Sequence, residues 1–528
     1  MVTVHSRHLG GFVRHELVER GHAMTRHGHF TLGGENPPKS TYYEQGKFGR
    51  LFPMLPPFAT DTPTVRNALM ELGKKGGIMD AADEMDIVAN PNLARDLITD
   101  PALNVTNPNN PALSAGMTFL GQFLDHDITF DPTSSLERQA DPEAIQNFRN
   151  PLLELDSMYG SGPGASPHLY DQSVGGEGIK FLVRGIPGAA AVSAGGFARF
   201  DLPRNNQSTA LLGDPRNDEN LIVSQLHVSM LRFHNAVVDH VKGDLGLTHP
   251  GEVFTEAQRL VRWHYQWIIV HEFLEKTVGK PVVDDILADG RKFYKWRNQP
   301  FIPVEFSVAA YRFGHSQVRP SYRSNFGPTP ADINSQVFKL IFNDSLPDDP
   351  DPNDLRGGKR APTRFIDWQT FFDFGDGNVR PNKKIDTRLS TVLFDLPGFA
   401  PGDVQSLAQR NLRRHLTFGL PSGQSVAKAM KLPVLDAIHL DDLKPLNLHN
   451  RTPLWFYLLR EADVEEDGKQ LGSVGGRIVA EVFIGLLQGD ALSYLKQDPG
   501  WTPTLPSATA GTFEMTDLLR FAGVVAPL

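Results

Sequence analysis

Apolar residues recur at helical spacing in two long stretches of this chain. Leu226, Met230, Phe233 and Val237 repeat within residues 221–241, and Leu260, Trp267, Ile268 and Phe273 within 254–278, which predicts two central core helices. Shorter runs predict helices over 65–74, 112–130, 404–416 and 475–487. Residues 160–208 are rich in Gly, Pro and Ala and read as loops with a small hairpin at most. Residues 344–364 and 373–384 crowd Asp, Pro and Gly, which predicts surface excursions. No strand alternates with helices at βαβ spacing and no repeat emerges, so the expected fold is mainly α-helical, with long loop insertions. Length alone would allow roughly three or four domains. Without a clear internal linker, the reading is an extended Gly-, Pro- and His-rich arm over 1–60 and one catalytic domain over 61–528.

Composition narrows the partners. A net charge of -9 and a pI near 6.1 leave no electrostatic footprint for nucleic acid or an anionic membrane, so small molecules are expected. The chain has no cysteine, which excludes disulfides, thiolate catalysis and thiolate haem ligation. No apolar core of a signal peptide marks residues 1–24, and the late apolar run 478–487 is too short to span a bilayer and is broken by Glu481. The expectation is a soluble protein, cytoplasmic or exported by a non-classical route. His22, His27 and His29 lack acidic companions and read as surface residues rather than ligands.

The stretch Gly121-Gln122-Phe123-Leu124-Asp125-His126-Asp127 carries the first candidate chemistry. On a helix, Gln122, Asp125 and His126 share one face, and Asp127 points about a hundred degrees away. Three polar groups turned toward one apolar neighbourhood require a partner. Other patterns fail: His271-Glu272 lacks the second histidine of a zinc protease, residues 373–378 lack the ligand alternation of an EF-hand, and Gly160–Gly164 follows no predicted strand.

Four further segments complete a constellation: Asn150-Pro151-Leu152-Leu153-Glu154-Leu155-Asp156-Ser157-Met158-Tyr159-Gly160, Gly213-Asp214-Pro215-Arg216-Asn217-Asp218-Glu219-Asn220, Tyr311-Arg312-Phe313-Gly314-His315 and Asn411-Leu412-Arg413-Arg414. In this order they resemble the animal-type haem peroxidases of the peroxidase-cyclooxygenase superfamily, bacterial members particularly, over about residues 110–490. The resemblance implies an animal haem peroxidase-like fold with haem between central helices. It also implies reduction of hydrogen peroxide with oxidation of small donors.

By the same resemblance His126 is the distal base, Gln122 orders water or a halide beside it, and Arg216 is the distal cation. A neutral imidazole suits proton shuttling and iron ligation alike. His315 matches the proximal ligand, Asn411 its hydrogen-bond partner, and Arg414 the partner of a haem propionate. Asp125 and Glu219 match the residues that form ester links to haem. Asp127, Asn150, Glu154, Asp156 and the Leu152 carbonyl match a calcium site, although Glu154 stands where relatives usually have Asp. The bland alternatives are an Arg216 salt bridge with Asp214 or Asp218, and a helix-capping cluster around Asp127.

Departures from the family carry information too. Asn220 follows Glu219, where some members have a methionine bonded to haem, so bromide, iodide, thiocyanate or phenols are expected as donors ahead of chloride. After Arg414 the family's Gly-Arg-Asp-His is His415-Leu416-Thr417-Phe418. The runner-up is a fatty-acid dioxygenase or diol synthase, whose radical tyrosine stands three residues before the proximal histidine. That position is Arg312 here, and Tyr311, one residue further back, would point elsewhere on an α-helix. A purely structural role is disfavoured by the joint presence of His126, Arg216 and His315.

Overall fold

The computed structural model describes residues 46–131, 146–296, 299–342, 351–358, 360–399 and 402–528. Residues 1–45 of the expected arm therefore lie outside the described residues. The helices that matter for the site are α1 (Pro63–Leu72), α2 (Ala115–Ile128), α3 (Leu221–Gly243), α4 (Pro250–Ile268), α5 (Leu407–Thr417), α6 (Leu454–Glu466) and α7 (Ser473–Gly489).

α3 is the centre of the core. The Asn220 side chain accepts from the Val223 N–H at 2.9 Å and caps its start. Leu226, Met230, Phe233 and Val237 are buried as the periodicity predicts. So are Ser224, His227 and His234, because α2 packs on one side of the helix and α4 on another. α4 continues beyond its last α-turn through a π-helical segment, Ile269–Leu274, into a final turn, Glu275–Val278.

Strands are short and join loops: β1 (Gly46–Gly49), β2 (Asn109–Ser114), β3 (Gln146–Asn147), β4 (Ile302–Pro303) and β5 (Pro381–Lys383). β1 pairs antiparallel with β3 and parallel with β4, and β2 pairs antiparallel with β5. The hairpin anticipated within 160–208 joins Arg184–Gly185 to Phe200–Asp201. Residues 46–60 pack on the body, where the buried Glu305 carboxylate accepts from the main-chain N–H groups of Leu51 and Phe52.

The two expected surface excursions hold only in part: Asp373, Gly375, Asp376, Gly377, Asn353 and Pro362 are exposed, but other residues of both segments turn inward. Asp354, Leu355 and Arg364 are buried. The Leu355 carbonyl accepts from Leu221 N at 2.7 Å, and Gly357 N donates to the Glu219 carbonyl at 3.0 Å. Asn382 and Lys383 are buried in β5. Composition identified loops, but their main-chain groups are paired against α2 and α3 instead of being solvated. Helix α6 was not anticipated either. Its first residues, Leu454–Leu459, are apolar all round and its charges cluster in the later turns, so no polar face marked its period.

Candidate active site

Of the fourteen residues of α2, only Gly121, Gln122 and Asp125 escape burial. They form one stripe, which opens on an interior cleft. The helix enters this position through main-chain contacts: Gly116 N donates to the Phe371 carbonyl at 2.8 Å. A Cβ on Gly116 would lie 2.5 Å from the Phe372 ring, so glycine permits the approach.

His126 is buried beside the stripe. Its Nδ1 lies 2.8 Å from Asn217 Oδ1, and Asn217 Nδ2 lies 3.0 Å from His227 Nδ1. In this orientation the amide oxygen accepts the Nδ1 proton and leaves Nε2 as the free base, 3.8 Å from Glu219 Oε1. Burial, reinforced by the Arg216 charge, lowers the imidazole to about 4. His126 is therefore neutral at pH 7.

Glu219 has a 45% exposed side chain, yet lost hydration pushes its carboxyl up to about 7. A group both open and desolvated lines a cleft within the protein rather than its outer surface. Gln122 donates to this carboxylate, and Asn220 Nδ2 donates to Gln122 Oε1 at 3.1 Å. Asn220 thus both caps α3 and holds Gln122.

Arg216 is turned back on its own loop. It donates from Nε and Nη2 to Asp214, at 3.1 and 2.7 Å, and from Nη2 to the carbonyls of His126 and Thr129. The salt bridge to Asp214 weighed from the sequence is present, and together with the carbonyl contacts it holds the guanidinium against the end of α2. Nη1 has no partner among the described residues, and the side chain keeps 22% exposure.

Asp125 connects the two sides of the cleft. Its Oδ1 accepts from Thr129 Oγ1 at 2.9 Å, and its charge acts on His126, Glu219 and His315 alike. His315 ends a segment that changes pitch, from a π-helical turn (Glu305–Ala309) to a 3-10 turn (Ala310–His315), packed against α5, α6 and α7. Burial and then Arg312 lower the His315 imidazole to about 3, which keeps it neutral and able to act as a ligand. The Asn411 amide meets Nδ1 at 2.7 Å through its nitrogen. Rotating that amide by half a turn exchanges N and O at the same positions, and Nε2 then becomes the lone-pair donor.

Tyr311 and His315 are not related by α-helical spacing as expected, because this segment is not α-helical. What fixes Tyr311 is a hydrogen bond from its hydroxyl to the Gly121 carbonyl at 3.0 Å and stacking on Phe306, with ring centroids 4.9 Å apart.

Arg414 lies near Arg312 and Asp131, and burial and then the Arg312 charge lower it to about 10 while Asp131 opposes the shift. Two like charges held together suit an anionic group. Arg312 was considered only as a missing tyrosine in the sequence, although its place in the Tyr-Arg-Phe-Gly-His motif was a signal. His415, where the family pattern breaks, is a buried bridge. Its Nδ1 lies 2.9 Å from the Asn411 carbonyl, and its Nε2 accepts from Trp455 N at 3.0 Å, joining α5 to α6.

Behind α2, Asp127 Oδ2 accepts from Tyr265 OH at 3.1 Å and from Leu155 N at 3.3 Å, while Oδ1 is buried without a partner. Burial, then Asp156, raises the Asp127 carboxyl well above its usual range. Burial, then Asp156, pushes Glu154 up to about 7. Arg149 pairs with Asp156 at 3.0 Å and Arg262 with Glu154 at 3.7 Å. Among the described residues no three acidic or imidazole side chains converge as a complete cation site. An ion here would draw on the Asn150 side chain and the Leu152 carbonyl as well, and the orphaned Asp127 oxygen fits such a role. Leu153 and Leu155 adopt left-handed φ of 53° and 62°. Each such residue costs roughly 1–2 kcal/mol, which burial of two leucine side chains offsets at roughly 1.5–3 kcal/mol each.

The family model for animal haem peroxidase matches residues 189–347, a stretch that contains Arg216, Glu219 and His315. Over that stretch the chain is similar to the animal haem peroxidases. Drosophila melanogaster peroxidasin is 25% identical over 330 residues, covering 59% of this chain and 20% of that protein. The chain spans about a fifth of the length of the first curated relatives it matches. Among solved structures, Peroxidase A from Dictyostelium discoideum superposes with a TM-score of 0.50 at 15% identity, covering 82% of this chain and 92% of that one. The Oryza sativa fatty acid alpha-dioxygenase gives 0.51 at 12% identity, covering 91% and 86%. At these identities the two structures establish the shared fold. The matched family model is one of haem proteins, and a neutral His315, the partly open stripe on α2 and the neighbouring Arg312 and Arg414 are compatible with such a group. Among the described residues no helix is long and apolar enough to cross a membrane.

Proposed function

We propose that the chain reduces hydrogen peroxide and oxidises small donors at a haem held by His315. The observation that carries this reading is that the segment ending in His315 is bonded to the helix that carries His126, with the Tyr311 hydroxyl donating to the Gly121 carbonyl at 3.0 Å, so a free base and a candidate iron ligand stand on adjoining elements. Bound haem would supply the redox chemistry that the side chains lack.

The chain's own residues then manage protons and charge. His126 Nε2 takes the peroxide proton, holds it, and returns it to the departing oxygen as water forms. Gln122 orients the reactant, and the Arg216 cation favours charge developing on oxygen. Arg414 and Arg312 would pair with propionates, and Asp125 and Glu219 would supply the ester links. Asp127, Asn150, Leu152, Glu154 and Asp156 would hold calcium and so steady the helix that carries His126. Bromide, iodide, thiocyanate and phenols are the proposed donors, because Asn220 has no sulfur to bond the macrocycle.

The test is to load the protein with haem and follow a phenol and each halide with peroxide, and linoleate with oxygen alone. Donor oxidation that depends on peroxide and is lost in His126→Ala supports the reading. Hydroperoxide made from linoleate without peroxide would overturn it in favour of an oxygenase.

A further inference from the structure

Arg149 lies outside every motif used so far, and the structure assigns it a role: we infer that Arg149 is a positioning residue for Arg216, acting through Asp214. The inference rests on the peroxidase reading above and deepens it.

The Arg149 guanidinium is buried and fully engaged. Nε donates to Asp214 Oδ2 at 3.0 Å, Nη1 to Asp156 Oδ1 at 3.0 Å, and Nη2 to the Gly213 carbonyl at 2.5 Å. Its own main chain is fixed as well. Asn147 Oδ1 accepts from Arg149 N at 3.1 Å and from Phe130 N at 2.8 Å, and Asn147 Nδ2 donates to the Ile128 carbonyl at 2.8 Å. Arg149 is thereby tied to the end of the helix that carries His126.

Asp214 is fully buried and sits between two guanidinium groups. Its Oδ1 accepts from Arg216 N and Nε, and its Oδ2 from Arg149 Nε and Arg216 Nη2. Two arginines approach one carboxylate from different directions, so the carboxylate plane cannot rotate without losing one of them. That plane sets the fork of Arg216, and hence where Nη1 faces the cleft. Asp156 belongs to the candidate calcium loop, so the same guanidinium couples that loop to the distal arginine. Without Arg149, Asp214 keeps Arg216 as its single side-chain partner, and only the Arg216 bonds to the His126 and Thr129 carbonyls then restrain the pair.

The variants are Arg149→Met and Arg149→Lys in the haem-loaded full chain. Lysine retains the charge but cannot make three divergent contacts. The measurements are haem content, thermal unfolding, cyanide affinity of the ferric protein, the second-order rate with peroxide and the KM for a phenol. Misplacing a catalytic group by about an ångström costs roughly a hundredfold. The expected result is a fall of about ten- to a hundredfold in the peroxide rate, weaker cyanide binding and an unchanged donor KM. Arg149→Lys should fall between Arg149→Met and the parent. If Arg149→Met does not fold, Arg149→Lys alone carries the test. An unchanged peroxide rate, or a loss that follows haem content and stability in proportion, overturns the inference. If the parent itself does not react with peroxide, the peroxidase reading fails instead.

Discussion

Asn217 Oδ1 lies 2.8 Å from His126 Nδ1, and the same amide reaches His227 Nδ1 at 3.0 Å through its nitrogen. One side chain therefore assigns the protons of two buried imidazoles. Asn217→Ala should leave His126 without its orienting acceptor and lower the peroxide rate by about a hundredfold, the lower range for general acid-base catalysis. Asn217→Asp should instead raise the His126 pKa by adding a negative charge. Stopped-flow rates against pH check both variants, and identical profiles for parent and variants would falsify the assignment.

The acid limb of the parent follows from the depressed His126 pKa. Burial lowers the imidazole from its ordinary 6.5 to about 4, so the basic form persists on the alkaline side of about 4. The peroxide rate should stay flat between about pH 5 and 7 and decline only as pH falls through about 4. A limb near the ordinary histidine value would show that His126 is more hydrated than the structure implies.

Asp125 and Glu219 are open to the cleft on its distal side. After exposure to peroxide, haem should resist extraction by acidified acetone. Asp125→Asn and Glu219→Gln should each weaken that retention, and the double variant should release the haem completely. Free extraction from the peroxide-treated parent would leave only the axial bond.

The orphaned Asp127 oxygen predicts that calcium stabilises the fold. At about a hundred times its Kd, a bound ion contributes about 2.7 kcal/mol. Thermal unfolding with calcium and with excess chelator measures this directly. Asp127→Asn should abolish the difference, while a parent midpoint indifferent to calcium would show that Arg149 and Arg262 neutralise the acids unaided.

Gly116→Ala tests how α2 is seated. The added Cβ meets the Phe372 ring and the Phe371 carbonyl at 2.5 and 2.7 Å, and overpacking of this kind costs about 1–3 kcal/mol. Denaturant unfolding should report that loss, with lower haem affinity as α2 shifts. Full stability would mean that Phe372 moves away freely.

The sequence by itself determined the helical frame and singled out the candidate reactive groups. Apolar period alone marked α3 and α4, because a buried stripe must repeat with the helix. The motifs also proposed His126, Glu219 and His315, since proton transfer, charge and iron ligation each demand particular side chains. Tertiary structure decided how those groups are aimed. Asn217 stands 91 residues from His126, and Asp214 stands 65 from Arg149. Such pairs leave no local period in the sequence, because chain closure and packing bring them together. The same holds for Tyr311, whose direction depends on a change of helical pitch, and for residues 354–357, whose Asp- and Gly-rich composition suggested solvent although their main chain is bonded to the start of α3.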